Sequence, residues 1–361
     1  MQTESLKERL NKYLNYVVQQ GCSDLHLSVN EYPIVRLDGD LYRLDKEPKL
    51  TKQDMGELAK AILDDLKLKK LKEDRTIDFS VALENGDRFR ANMFFQKGNL
   101  SLALRYIPKK IKTLQELNMP AHIYNFMEKS QGLFLVTGPT GHGKSTTLAA
   151  LIDYLNVNKR YHIVTIEDPI EYLHESKQSL IEQREVFSDA LDFASALRSA
   201  FREDVDAILL GEMRDLETIS TAVTAAETGH LILATLHTND SIQTVDRIID
   251  IFPPHQQNQI RAQLANVLVG IVSQRLLKKK NGGRIPAVEV LINNVAVQNL
   301  IREKQTHQIG TVIDTSLDKG MISINRSLAR LVKQGIVDIH EAEAYATNLD
   351  SFKMFLEAEE A

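Results

Sequence analysis

Apolar residues recur at helical spacing between residues 4 and 20, and Gly21 directly after them supplies a helix stop. Short strand-like pieces follow, with the sequences DLHLS, PIVRL and LYRL. The last two are joined by Asp38-Gly39, a dipeptide typical of a tight hairpin turn. This part of the chain is therefore predicted to form a helix followed by short antiparallel strands.

A second helical stretch is expected from about Lys52 to Glu73. Three segments of alternating polarity follow it, TIDFSVAL, DRFRANMFF and LSLALRYI, with turn signals at Asn85-Gly86 and Gly98-Asn99. Pro108-Lys109-Lys110 disfavours both helix and central strand and is expected to be an exit linker. These elements predict an α+β domain over residues 1–110.

The pattern changes beyond residue 110. Nearly continuous apolar runs now alternate with helical stretches, which is typical of a parallel sheet covered by helices on both faces. The apolar runs are GLFLVTG, HIVTIED, DAILLGE and HLILATLH, and the helical stretches are 145–156, 189–200, 215–226, 241–250 and 256–268. We therefore predict an α/β domain with a parallel-rich sheet over residues 111–361, ending in a charged helical tail (about 294–361).

Composition narrows the class of protein. The chain has 361 residues, more than the roughly 250–300 at which single cores stop growing, so two domains are expected. A net charge of −5, from 44 basic and 49 acidic residues, argues against binding nucleic acid or anionic membrane as the main activity. The single cysteine, Cys22, excludes an intramolecular disulfide and fits a reducing compartment. The polar start MQTESLKERL and the shortness of every apolar run predict neither a signal peptide nor a membrane span.

The most specific chemical motif is G-x-x-x-x-G-K-[ST], placed between the apolar strand LFLVT and the helical run STTLAALIDYL. Such a loop turns backbone N–H groups toward phosphates, and we therefore predict binding of ATP with Mg²⁺. Lys144 should bridge the β- and γ-phosphates, and Ser145 should ligate Mg²⁺. His142 occupies a variable position and is interpreted as a tolerated surface substitution. The predicted phosphate loop consists of Gly138, Pro139, Thr140, Gly141, His142, Gly143, Lys144, Ser145 and Thr146.

Polar residues follow three other predicted strands, at the edge where parallel strands meet their ligand. Glu212 follows DAILLG and is placed to polarise the attacking water or to hold Mg²⁺ through water. The strand HIVTIEDPIEYLH ends in Glu167, Asp168 and Glu171. The pattern leaves open which of them reaches the phosphate; we assign Glu167 to nucleotide binding and expect Asp168 to stay on the surface. His237, at the end of HLILATLH, is predicted to sense the γ-phosphate.

These residues together resemble a known family. The segments GPTGHGKSTTLAAL, TIEDPIEYLH, ILLGEMRDLETI, AAETGHLILATLHTND and VDRIIDIFPPHQ, with SDLHL before them and NLIREKQTHQI after them, are similar to the type II/IV secretion ATPases. Within that family they are similar to the PilT-type retraction ATPases of type IV pili. The resemblance covers about residues 20–335. It implies a PAS-like N-terminal domain joined to a RecA-like ATPase domain and assembly into a homo-hexameric ring.

The resemblance also assigns roles to individual residues. It implies catalytic carboxylates at Glu212 and Glu171 and a histidine pair, with His237 expected to be catalytic and His230 to bind the nucleotide. It also implies that arginines of the N-terminal domain lie near the nucleotide, in the same or an adjacent subunit. The matching arginines are Arg90 and Arg105, with Arg88 as a reserve candidate on the face of Arg90. One departure is Gln298, which stands where the family's late helix motif has arginine.

The function implied is an ATP-driven motor for pilus retraction and twitching motility, at the cytoplasmic face of the inner membrane. Its implied partners are an inner-membrane pilus platform protein and related pilus motor subunits, with no direct nucleic acid and with membrane contact only through partners. A pilus assembly or type II secretion ATPase is the nearest alternative, although the single cysteine excludes the four-cysteine zinc insert that many of those carry. A RecA-like DNA motor is disfavoured by the charge of −5, and a non-hydrolysing scaffold by Lys144 and Glu212. The direction of work stays open.

Overall fold

A computed structural model describes residues 5–37, 39–107 and 109–358 of the chain. Two compact units result, Met1–Lys110 and Ile111–Ala361. The predicted turn residue Asp38 and the first linker residue, Pro108, lie outside the described residues. The predicted α/β class, with an α+β amino-terminal domain and a helical carboxyl-terminal region, is confirmed.

The amino-terminal unit contains a six-stranded antiparallel sheet in the order β3-β2-β1-β6-β5-β4. Its first helix forms as predicted, because Ser5 and Glu8 cap its start reciprocally and Gly21 ends it in the left-handed conformation (φ 67°). Its elements are α1 (Leu6–Gln20), β1 (Asp24–Ser28), β2 (Ile34–Leu37), β3 (Asp40–Arg43), α2 (Lys52–Ile62), α3 (Asp65–Asp74), β4 (Thr76–Ala82), β5 (Arg88–Gln96) and β6 (Asn99–Ile107).

The single helix expected over residues 52–73 is wrong in one respect, since the structure has two helices there. Helix α2 ends at Ile62, and Asp64 caps the start of α3 by accepting a hydrogen bond from the backbone N–H of Lys67. The apolar spacing continues across the break, so the pattern alone hides it. The lysine-rich side of α3 is exposed, as the sequence predicted.

The carboxyl-terminal unit contains a seven-stranded sheet in the order β13-β12-β7-β11-β10-β8-β9. All neighbouring strands are parallel except the outer pair β12–β13. Its strands and flanking helices are β7 (Gly132–Thr137), α4 (Lys144–Asn158), β8 (His162–Glu167), β9 (Leu180–Glu185), α5 (Phe193–Ala200), β10 (Ala207–Leu210), α6 (Leu216–Glu227), β11 (Leu231–Leu236), α7 (Ser241–Asp250), α8 (Gln257–Val267), β12 (Leu268–Lys278) and β13 (Arg284–Ile292).

The four predicted strands of this sheet are present, and its central strands are fully buried. Strands β9, β12 and β13 were not predicted. Helix α8 passes directly into β12 at Leu268, with no glycine or proline between them, so the apolar run LANVLVGIV contains both a helix end and a strand start. Strand β9 reads LIEQRE, which is too polar to be distinguished from a loop by its pattern.

The tail is helical, as expected, and its last helices cover the outer strand pair. Leu277 of β12 and Ile285 of β13 share one apolar cluster with Leu328 of α11 and Phe352 of α13. Among the described residues, no helix combines the length and the apolar character needed to cross a membrane. The tail helices are α9 (Val295–Arg302), α10 (Ile309–Thr315), α11 (Ile324–Lys333), α12 (Ile339–Glu343) and α13 (Leu349–Glu357).

Candidate nucleotide site

Four neighbouring parallel strands end at the same edge of the larger sheet. Reading across the sheet, these are β7, β11, β10 and β8. The phosphate loop follows β7, His237 follows β11, Glu212 follows β10 by two residues, and Glu167 ends β8. Ligands of open α/β sheets bind at this edge, and the fold therefore brings together residues that are up to a hundred positions apart in the chain.

The phosphate loop has a backbone that only glycine accommodates without strain at three of its positions, two of which shape the site directly. Gly138 has a φ of 141°, and a Cβ placed on it would lie 2.4 Å from the carbonyl oxygen of Gln274. Gly143 has a φ of 84° and precedes the first residue of α4. The loop therefore turns directly into a helix amino terminus, where unpaired N–H groups and the helix dipole favour a phosphate.

Lys144 lies at the centre of this loop and is only 8% exposed. Its Nζ is 2.8 Å from the carbonyl oxygen of Gly138, 3.2 Å from that of Pro139 and 3.4 Å from Nδ1 of His237. Burial lowers the pKa of Lys144, while the carboxylates of Glu212 and Glu171 act in the opposite direction. The ammonium group thus already faces the loop that would hold phosphates.

His237 connects the loop to Glu212. Its Nδ1 is 3.3 Å from the hydroxyl of Thr140, and its Nε2 is 3.3 Å from a carboxylate oxygen of Glu212. An ammonium group only donates and a carboxylate only accepts, so Nδ1 accepts from Lys144 and Nε2 donates to Glu212. The prediction that His237 lies at the phosphate edge agrees with this chain of contacts.

Glu212 is held as an ionised carboxylate. Burial acts to raise its pKa, but the hydrogen bonds from Arg214 (2.7 Å) and His237 (3.3 Å) and the charge of Arg214 more than offset this and lower it. Gly211 before it lets strand β10 pack closely, because a Cβ there would lie 3.3 Å from the α-carbon of Glu167. Glu212 is therefore available as an acceptor for a proton or for a water O–H.

Glu167 does not face the loop, which corrects its assignment as a nucleotide-binding residue. Its carboxylate accepts hydrogen bonds from the hydroxyl of Thr165 (2.7 Å) and the amide of Gln183 (3.3 Å), so it is directed toward strand β9. Glu171, by contrast, is close enough to Lys144 to influence its pKa. Asp168 is exposed, as expected. Of the acids after β8, Glu171 is the one that accompanies the nucleotide site.

The enclosed position of Glu167 gives a stability prediction. Burial raises the pKa of Glu167 to about 7, although the bonds from Thr165 and Gln183 act to lower it. Between the ordinary value of 4.5 and about 7, the unfolded chain releases this proton and the folded chain keeps it. Stability is therefore lost as the pH rises through this window, by about 3 kcal/mol in total.

Glu167→Gln is neutral at every pH and should remove this loss. We expect its melting temperature to exceed that of the wild type by about 5 °C or more at pH 8 and by a much smaller margin at pH 5, near the start of the window. Thermal melts at both pH values, with Asp168→Asn at the exposed neighbour as the control, provide the measurement. Equal gains at pH 5 and pH 8 would contradict a titrating Glu167.

Two of the histidine assignments are also corrected. His142 is half-buried, not a free surface residue, because its Nδ1 accepts a hydrogen bond from the backbone N–H of Leu276 (2.9 Å). His230 directly precedes β11, at the end opposite His237, and its Nδ1 lies 3.1 Å from the carbonyl oxygen of Ala225. The strand between the two histidines spans about 20 Å, so His230 cannot contact a nucleotide in the loop of its own subunit.

Other contacts to the loop were not apparent from the sequence. The hydroxyl of Tyr172 lies 2.8 Å from that of Thr146 and ties the segment after β8 to the first turn of α4. A cavity of about 280 Å³ beside the loop is lined by Gly143, Thr146 and Leu276, among others, and is suited to the rest of a nucleotide. The TIEDPIEYLH motif contains Tyr172, but nothing in its spacing distinguishes a ligand contact from a core tyrosine.

The arginines of the amino-terminal unit lie in one row across its sheet. Arg90 of β5 is paired directly with Arg105 of β6, which in turn is paired with Asp24 of β1. Nε of Arg105 lies 2.9 Å from the Asp24 carboxylate, and 64% of its side chain is exposed. Arg88 is on the same face and donates to the hydroxyl of Ser80 (3.2 Å). Arg105 is thus exposed and paired with Asp24, whereas Arg88 and Arg90 beside it are half-buried.

The residues present suit Mg²⁺ bound together with phosphates. Within the described part of the chain, no group of three or more His, Cys, Asp or Glu side chains could enclose a metal ion. Mg²⁺ in nucleotide sites usually takes one or two protein ligands, with phosphate oxygens and water as the others. Ser145, in the first turn of α4, and the ionised Glu212 provide that set, and the ion would neutralise phosphate charge there.

Known proteins share this architecture. A family profile described as "Type II/IV secretion system protein" matches residues 1–344. The chain is 45% identical over 343 residues to the type IV pilus retraction ATPase PilT of Pseudomonas aeruginosa, covering 95% of this chain and 99% of that protein. It is 46% identical over 318 residues to the uncharacterized protein YggR of Escherichia coli, covering 88% and 96%. A crystal structure of the pilus retraction motor PilT with bound ADP matches with a TM-score of 0.88 and 44% identity, covering 95% and 98%.

Proposed function

The chain belongs to the type II/IV secretion system protein family, and on that basis we propose that it is an ATP-hydrolysing motor that retracts type IV pili. The observation that carries the proposal is the continuous set of contacts from Lys144 through His237 to Glu212 at one edge of a parallel sheet. A binding module needs only the phosphate loop. An ionised carboxylate at the end of β10, connected to the loop through His237 on the strand between them, indicates hydrolysis.

In the proposed reaction, the phosphate loop and Lys144 hold the β- and γ-phosphates of ATP. Glu212 accepts a hydrogen bond from the attacking water and orients it toward the γ-phosphorus. As the water oxygen bonds to that phosphorus and its proton passes to Glu212, the bond between the phosphorus and the bridging oxygen breaks. The electron pair leaves with ADP, and Lys144 offsets the charge that develops there. His237 changes partners between the loop and Glu212, so the occupancy of the γ-phosphate site alters the position of the acid.

The mechanical step is assigned to the two-domain architecture of a homo-hexamer. We infer that ATP draws Arg90 and Arg105 of the same or a neighbouring subunit onto the phosphates, and that hydrolysis releases them, so that one domain rotates against another. What supports this role is the direct pairing of Arg90 with Arg105 across two strands, with Arg105 exposed and Arg90 half-buried. Arginine fits the role because its planar fork pairs with phosphate oxygens.

The proposed location is the cytoplasmic face of the inner membrane, with membrane contact only through partners. The proposed partners are an inner-membrane pilus platform protein and related motor subunits, and nucleic acid is not bound directly. Retraction is preferred over assembly because a relative named as a retraction ATPase aligns over almost the full length of both chains. YggR is 46% identical over a shorter stretch, and its name carries no direction of work.

Counting individual pilus retraction events in cells that lack this protein tests the proposal. We expect surface pili to persist, retraction and twitching motility to be lost, and both to return with the wild-type chain but not with Lys144→Ala. Loss of surface pili in the deletion strain would instead support an assembly ATPase. Normal pili with defective protein export would support a type II secretion ATPase.

A further inference from the structure

The outer hairpin of the larger sheet, β12–β13, continues past the end of β7 and runs beside the phosphate loop. The last pair between β7 and β12 is Thr137 with Ser273. Gly138, where the loop begins, directly follows Thr137, and Gln274 directly follows Ser273 in β12. The hairpin therefore lies against the outer side of the loop, away from the strands that carry Glu212 and His237.

Gln274 contacts the loop at its start, its middle and the turn that follows it. Its carbonyl oxygen leaves no room for a side chain at Gly138. Its amide Nε2 donates to the carbonyl oxygen of His142, and its Oε1 accepts from the hydroxyl of Thr147 at 2.9 Å. The residue is only 2% exposed at the wall of the cavity beside the loop, and both partners of its amide are protein groups.

A second set of hairpin contacts holds the same part of the loop. The backbone N–H of Leu276 donates to Nδ1 of His142 (2.9 Å), and Arg284 donates to the carbonyl oxygen of Gly141 (3.4 Å). Two consecutive loop carbonyls are thus held toward the hairpin. In a planar trans peptide the C=O and the following N–H point in opposite directions, so the His142 contact directs the N–H of Gly143 away from the hairpin, toward the phosphates.

We propose that Gln274 is a positioning residue of the nucleotide site, which holds the phosphate loop in its binding conformation through the carbonyl of His142 and the hydroxyl of Thr147. The inference rests on the proposed ATP-hydrolysing function, because it assigns a purpose to the loop. Gln274 does not touch the reacting atoms. Its contribution is preorganisation, since a loop that is already shaped does not lose binding energy to ordering when the nucleotide enters.

The test uses the full-length chain and three variants. Gln274→Met keeps the length of the side chain and removes both hydrogen bonds, and Thr147→Val removes only the hydroxyl that Gln274 accepts from. Gln263→Met is the matched control, because that amide donates to Glu227 (2.8 Å) on the exposed surface and has no contact with the loop. The readouts are the Kd for Mg-ADP by calorimetry, KM and kcat for ATP, and the melting temperature without nucleotide.

Gln274→Met should raise the Kd for ADP and the KM for ATP by about tenfold or more, with a smaller change in kcat. Thr147→Val should raise both constants by about threefold. An unchanged Kd in Gln274→Met, with or without a lower melting temperature, would leave the residue a packing role and overturn the proposal. Should Gln274→Met not fold, the Kd of Thr147→Val decides in the same way.

The outcome also separates this inference from the proposed function. If the wild type and Gln263→Met bind and hydrolyse ATP and Gln274→Met has the same Kd and KM, only the positioning role of Gln274 is overturned. If neither the wild type nor Gln263→Met hydrolyses ATP, the proposed function itself is wrong.

Discussion

Replacing Glu212 by glutamine is expected to lower kcat for ATP hydrolysis by about two to three orders of magnitude. The carboxylate is ionised because the hydrogen bonds from Arg214 and His237 and the charge of Arg214 together offset the effect of burial on its pKa. Glutamine keeps the shape of the side chain, but it carries no negative charge and cannot accept a proton from the attacking water. The phosphate loop and Lys144 are left intact, so the Kd for ATP should stay within about threefold of the wild type.

The rate of phosphate release measures kcat, and calorimetric titration measures the Kd for ATP. Glu217→Gln is the matched control, because Glu217 is an exposed acid that pairs with Arg198 on the protein surface. That variant should hydrolyse ATP at the wild-type rate. Turnover by Glu212→Gln close to the wild-type value would remove Glu212 from the role assigned to it.

The second large effect is expected for Arg90→Ala, which should reduce kcat by about a hundredfold or more and change ATP affinity only slightly. A guanidinium that meets the transferring phosphoryl group stabilises charge mainly in the transition state, so its loss appears in kcat rather than in binding. Arg43→Ala provides the comparison, since Arg43 is an exposed arginine on the edge strand of the same sheet. Equal activity of the two variants would contradict the role of Arg90.

Mixing experiments show whether Arg90 acts within one chain or on a neighbour. Arg90→Ala and Lys144→Ala subunits are each expected to be inactive alone. If Arg90 acts across subunits, some sites in a mixed ring combine an intact Lys144 with an intact Arg90 from the adjacent chain, and part of the activity returns. Activity that remains absent at every mixing ratio would place both residues in one chain.

The strands and helices that were predicted correctly are those whose limits are visible locally. Helix α1 has a capping box and a terminal glycine, and the core strands β7 and β11 are short apolar runs between turns. Where one element passes into the next without such a marker, the hydrophobic pattern does not locate the boundary. The passage from α8 to β12 and the break between α2 and α3 are both of this kind, and both were decided by tertiary packing or by a single cap.

The same distinction holds for the site. Lys144, Glu212 and His237 were identifiable because each directly follows a recognisable strand or belongs to a recognisable loop. Gln274 was not, because its relation to the loop depends on which strand lies beside β7, and sheet order is not contained in any local pattern. Glu167 and His230 were wrongly assigned for a related reason: a motif shows that a residue is close in sequence, but not which way its side chain points or at which strand end it lies.

The packing of the last helices on the β12–β13 hairpin bears on how the protein can be handled and altered. Helices α11 and α13 cover Leu277 and Ile285, and the same hairpin carries Gln274 and Arg284 against the phosphate loop. Tyr345, between α12 and α13, also lies edge-on to the ring of His142, with 6.2 Å between ring centres. The carboxyl-terminal helices are thus an integral part of the unit that carries the nucleotide site. Truncations or fusions made there are expected to disturb the hairpin that lies against the phosphate loop. Nucleotide binding should therefore be measured in such variants before a loss of motility is attributed to the loss of a partner-binding surface.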